Sequence, residues 1–142
     1  MPSLPIPKWL LVVCISAALL GFADSSYLTA EHVRGVIPPC GASSQCDQVL
    51  VSKYSSVGPI PVSALGMAYY GAVLLLLIIY LDSGSWRAVH LAAWVISAGM
   101  LGTLYFIAVQ AFILHAWCLY CLFSAAMTCI LFFCGLRIMR ID

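Results

Sequence analysis

Charged residues are so sparse along this chain that the gaps between them mark out its elements. Residues 62–81 form a run of twenty without Asp, Glu, Lys or Arg. A bilayer core about 30 Å thick takes roughly 20 apolar residues of helix, so this run is long enough to span. Residues 88–136 form a second such run, 49 residues long. As one helix it would extend roughly 74 Å, more than twice the hydrocarbon thickness. It must turn back once, and the predicted break is Phe112–Trp117, where His115 and Trp117 supply polar and interfacial groups. A further apolar run starts at Trp9, meets Asp24, and passes through Ser25, Ser26 and Tyr27 to end near Ala30. The pattern predicts an all-α membrane protein, a four-transmembrane-helix bundle with spans at about 9–30, 62–81, 88–111 and 116–136, in a single domain covering 1–142. A cleaved signal peptide is the competing reading of the first run: Lys8, a short apolar stretch, then small residues around Ala23.

Between the first two spans lies a polar segment, 31–61, punctuated by Pro38, Pro39, Pro59 and Pro61. Its middle, 42–54, is polar on one side only and reads as a short helix lying on or re-entering the membrane surface. Composition sharpens the exclusions. The chain is 64% hydrophobic and 8% charged, with a mean hydropathy of +1.08; soluble domains average roughly 45–50% apolar and about a quarter charged. A soluble enzyme and a disordered tail are both excluded. A net charge of +1 leaves no basic footprint for nucleic acid. Lys8, Arg87, Arg137 and Arg140 fall on one side of the four spans, and Arg34 and Lys53 on the other. This asymmetry predicts cytoplasmic termini and an outward-facing loop.

The seven cysteines divide by position. Cys14, Cys129 and Cys134 fall inside spans, where a thiol packs as a small apolar group. Cys40 and Cys46 sit in the loop, and Cys118 and Cys121 open the last span as Cys-Leu-Tyr-Cys. All four are expected on the oxidising side, where disulfides persist. Spacing i, i+3 puts Cys118 and Cys121 on one helical face, and the helix amino terminus favours a thiolate at Cys118. A thiolate is the species that attacks a disulfide. Two pairs in one compartment suggest a relay: the loop pair exchanges with an outside thiol, Cys46 attacks Cys118–Cys121, and Cys121, roughly 4.5 Å deeper along the axis, meets a lipid-dissolved oxidant. Nearby Leu65, Tyr69, Tyr70, Phe106, Leu114 and Tyr120 line a pocket or simply pack.

Three segments carry a resemblance: Cys40-Gly-Ala-Ser-Ser-Gln-Cys46-Asp-Gln-Val-Leu-Val-Ser52-Lys-Tyr, Gly58-Pro-Ile-Pro-Val-Ser-Ala-Leu-Gly66, and His115-Ala-Trp-Cys118-Leu-Tyr-Cys121. In order, spacing and placement the chain resembles the vitamin K epoxide reductase family, its bacterial members most of all. The resemblance implies a four-helix bundle around a quinone (ubiquinone, menaquinone or a relative), with an outer-side loop or short helix capping the quinone pocket. It also implies exchange with the partner at Cys40, a shuttle at Cys46 to Cys118, and Cys121 beside the quinone. Ser52 matches the family's loop serine, and Leu50, Leu65, Tyr69 and Tyr120 fall at pocket-lining positions of similar proteins. The chain departs from the vertebrate pattern at two places: Val62 stands where those enzymes have a pocket asparagine, and Ala125 where they have a tyrosine. Both are headgroup partners there, so the resemblance favours quinone reduction over epoxide reduction, with Ser63 as a partial substitute for the asparagine.

The implied activity is that of a membrane thiol–disulfide oxidoreductase. It takes electrons from a periplasmic thioredoxin-fold, DsbA-like protein, expected to be a separate chain, and delivers them to the quinone in support of disulfide formation, with no metal. The implied location is a bacterial inner membrane, with the redox cysteines periplasmic. Two other classes compete: a four-thiolate zinc site built from Cys40, Cys46, Cys118 and Cys121, and a non-catalytic membrane protein with two structural disulfides. Asp47 beside Cys46 is a candidate tuning group or a solvated loop acid, and His115 near Cys118 reads first as a solvated interfacial histidine, with a proton carrier as the alternative.

Overall fold

The computed structural model describes residues 5–35, 53 and 56–141. Its first helix, α1 (Lys8–Arg34), begins just after Pro7, whose fixed φ suits the entry to a helix. It ends at Gly35, which turns left-handed (φ 70°) so that its N–H reaches the carbonyls of Glu31 and His32. His32 and Arg34 in the last turn complement the negative end of the dipole. Two short strands, β1 (Ser56–Val57) and β2 (Ile60–Pro61), pair antiparallel across a tight turn in which Gly58 has φ 62°. That hairpin leads directly into α2 (Val62–Ser83), stopped by the left-handed Gly84.

After a two-residue turn, α3 (Trp86–Ala108) continues without a break into a π-helical turn, Val109–Leu114. The chain then leaves the helix at His115, the one non-glycine residue among those described with positive φ (50°), and re-enters it as α4 (Leu119–Ile141). Each of the four helices is long and apolar enough to cross a membrane. They differ from the expected spans mostly by running further at their ends, because charged and polar residues such as Glu31, Arg34 and Arg140 continue the hydrogen-bonded ladder beyond the hydrocarbon-length core. The expected short helix at 42–54 and the capping of the pocket by the loop lie outside the described residues.

The helices pack in a ring, α1 on α2, α2 on α3, α3 on α4 and α4 on α1. A signal-peptide reading of the first run is at odds with this packing, since Leu10, Cys14 and Ala18 of α1 belong to the buried core. That core is lopsided. It combines the start of α1 (Leu10, Ala18), the end of α2 (Val73, Tyr80), the start of α3 (Val89) and the end of α4 (Leu131). Because successive helices run in opposite directions, all of these lie at the end of the bundle that carries the termini. Glycine allows close approach near the middle: any side chain at Gly21 would collide with the ring of Tyr70, and one at Gly99 with the ring of Tyr69. The outer surface is apolar, with Trp94 76% and Phe112 77% exposed. Lipid is the solvent that suits such a surface.

Candidate active site

At the opposite end the ring of helices opens around a cavity of about 1120 Å³. Its wall is mainly apolar: Leu28 of α1, Val62 and Leu65 of α2, Val95 and Phe106 of α3, Ala125 of α4. Into this wall are set a few polar groups, Asp24, Ser63, Tyr69, Tyr70, Gln110, Ser124 and Thr128, with His32, Lys53 and Ser56 also on the lining. A large apolar recess with a small number of polar groups is the usual form of an organic-ligand site.

The sulfurs of Cys118 and Cys121 lie where α4 begins. The Cys118 carbonyl accepts the first helical bond, from Leu122 N–H at 2.9 Å, which makes Cys118 the residue that caps the helix. Its sulfur accepts from the Cys121 thiol and from the backbone N–H groups of Cys121 and Tyr120. Those contacts, the Cys121 thiol foremost, hold the Cys118 thiol below the ordinary cysteine range, against the opposing effects of burial and of the Asp24 charge. Cys118 is fully buried, whereas Cys121, one helical turn on, lines the cavity. The pair thus joins a buried, easily ionised sulfur to one that faces the recess.

What holds Cys118 in place was not foreseen from the sequence. Gln110 sits in the π-helical turn, 3% exposed. Its backbone carbonyl accepts from His115 and Ala116, and its side-chain oxygen accepts from Cys118 N–H at 3.0 Å. One residue therefore ties down both ends of the connector between α3 and α4. An uncharged polar side chain within the 49-residue charge-free run was the available signal, since a buried amide must find partners. A second polar knot crosses the cavity floor: Tyr70 Oη donates to the Ser124 carbonyl at 2.6 Å and bonds the hydroxyls of Ser124 (2.9 Å) and Thr128 (3.0 Å).

Of the residues expected at the site, Cys121, Leu65 and Tyr69 line the cavity, as do Val62 and Ala125. Tyr120 does not. Its ring packs on Tyr27 of α1 with centroids 5.7 Å apart, because a residue one position from Cys121 points about 100° away around the helix. His115 is exposed on the connector. Cys40, Cys46, Asp47, Leu50 and Ser52 lie outside the described residues.

The family model for the vitamin K epoxide reductase family matches residues 12–136, nearly the whole chain and all four helices. The chain belongs to this family. Among curated proteins no sequence matches it. As a vitamin K epoxide reductase family member it is an integral helical membrane protein, and the family implies oxidoreductase activity. The cavity fits a quinone on grounds of its own: it has the volume, the apolar wall, and two buried oxygens, Asp24 Oδ2 and Tyr69 Oη, that bond to no described residue in good geometry. Such groups are candidates to meet the oxygens of a bound ring.

Proposed function

We propose that this protein oxidises the thiols of a periplasmic, DsbA-like thioredoxin-fold protein and passes the electrons to a membrane quinone, ubiquinone, menaquinone or a relative. The observation that carries the reading is the placement of Cys121 on the wall of an apolar recess, one turn from a buried Cys118 with a depressed pKa. The partner thiol attacks Cys40–Cys46, and Cys46 then exchanges with Cys118–Cys121. A bound quinone supplies the two-electron acceptor. The chain's own part is to make the Cys118 thiol easier to ionise for exchange, to hold Cys121 against the recess, and to exclude water from it. Partners of this kind have potentials near about −120 mV, and quinone coupling keeps the periplasm oxidising, so the flow is downhill.

In this reading, 1–142 is one functional domain with 31–61 as its redox loop, Leu50, Ser52, Leu65 and Tyr69 support the quinone, and the membrane is a bacterial inner membrane with the cysteine pairs periplasmic and both termini cytoplasmic. The excess of Lys8, Arg87, Arg137 and Arg140 over Arg34 and Lys53 supports that orientation. Quinone rather than vitamin K epoxide is the favoured substrate because apolar Val62 and Ala125 line the recess at the two positions where the resemblance implied headgroup partners.

Trapping tests the relay. Cys46→Ala is expected to accumulate a mixed disulfide between Cys40 and the partner, and Cys118→Ala to abolish quinone reduction by reduced partner. A Cys118→Ala protein that turns over normally overturns the mechanism.

A further inference from the structure

Asp24 has no part in the electron path above, yet it is the only carboxylate among the described residues that line the cavity. It lies in α1 inside the apolar bundle, a costly place for an acid without a role. One carboxyl oxygen, Oδ2, is completely buried and accepts no hydrogen bond from any described residue. Burying such a group without a partner costs free energy that a structural residue would avoid. Asp24 lines the same cavity as Tyr70 and Cys121, and its charge opposes ionisation of Cys118 just outside the last span. Asp24 therefore shares one recess with the sulfur that faces the acceptor.

We propose that Asp24 is the proton-transfer group of the cavity, carrying a proton from the Cys118–Cys121 dithiol to the acceptor. The inference rests on the quinone reading. Two S–H bonds break and one S–S bond forms, two electrons leave the sulfurs for the ring, and two O–H bonds form on the quinone. The thiols supply both protons, so no further reductant or acid is consumed. Asp24 accepts one proton from Cys121, donates one to a ring oxygen, and ends the turnover in the protonation state in which it began. The titratable groups that line the cavity with it are Tyr69 and Tyr70 of α2, Cys121 of α4, and His32 and Lys53; Cys118 and Tyr120 lie near it but off the lining, and α3 contributes no titratable side chain to the cavity wall. Of these only Asp24 is a carboxylate, the kind of group whose proton affinity is tuned readily by its surroundings.

The test uses full-length protein in nanodiscs, reduced and freed of reductant, mixed with ubiquinone-1 in single turnover across pH 5–9. Asp24→Asn is expected to slow hydroquinone formation by roughly a hundredfold or more, the range of a lost acid–base group, and to flatten its pH profile. Asp24→Glu, which keeps the carboxyl, is expected to stay within about tenfold of the unmodified protein. Alkylation of Cys118 without any quinone gives a second readout: Asp24→Asn moves its midpoint to lower pH, because the ionised carboxylate opposes the Cys118 thiolate. Should Asp24→Asn fail to fold, Asp24→Ser carries the same comparison. An Asp24→Asn protein with the unmodified rate and pH profile overturns the proposal and leaves the quinone reading standing. Unmodified protein that reduces neither ubiquinone-1 nor a short-chain menaquinone overturns both.

Discussion

The depressed pKa of Cys118 rests on neighbours that can be removed one at a time. Its sulfur is the side-chain cap of α4, accepting from the Cys121 thiol first and from two backbone N–H groups after it. A depressed pKa means that the thiolate is present at lower pH than for an ordinary cysteine. Replacing Cys121 by Ala removes the leading donor, so the midpoint of Cys118 alkylation by iodoacetamide is expected to move upward in pH. Gln110 makes a different kind of contribution. In Gln110→Leu the Cys118 N–H loses its acceptor in a buried site, and the expected cost is about 1–3 kcal/mol, read as a lower unfolding temperature together with slower exchange between Cys118 and the loop pair. The sequence singled out Cys118 and Cys121 by their i, i+3 spacing at the head of a span, a spacing that serves zinc and redox sites equally. It did not mark Gln110 or Tyr120 correctly. The value of a glutamine depends on a π-helical turn that no residue pattern announces, and the direction of Tyr120 depends on where around α4 its neighbours fall.

Among the elements, the close packing of α1 against α2 and of α2 against α3 rests on absent side chains. Gly21 lets Tyr70 approach α1, and Gly99 lets Tyr69 approach α3. Gly21→Ala is expected to destabilise the bundle by about 1–3 kcal/mol through overpacking, and it also disturbs the bonds that Tyr70 makes to Ser124 and Thr128. Thermal unfolding in detergent measures the first effect. Tyr70→Phe separates it from the second: it keeps the ring and removes only the hydrogen bonds, for about 0.5–1.5 kcal/mol. The helices themselves were legible because charge is so scarce that two uninterrupted runs and one turn-back left little choice. Their ends were less so. Helices continue into polar territory as long as backbone bonds are satisfied, and α1 runs to Arg34, stopped by a left-handed glycine rather than by a change in hydropathy.

For the molecule as a whole, the zinc and relay readings separate on metal content. Among the described residues no three His, Cys, Asp or Glu side chains converge, and the fourfold thiolate set would need Cys40 and Cys46 to join Cys118 and Cys121. Elemental analysis of purified protein is expected to find well under one zinc per chain; one tightly held zinc would support a closed four-thiolate site instead. The bundle is also two-sided, packed tight around Leu10, Val73, Tyr80 and Leu131 at one end and open around Asp24, Tyr69 and Cys121 at the other. With the termini in the cytoplasm, as proposed, the packed half works as an insulator between two redox pools. In that reading small reductants of the cell interior meet this packed core before Cys118 and Cys121, so the proposed oxidising chemistry at one face is not short-circuited from the other.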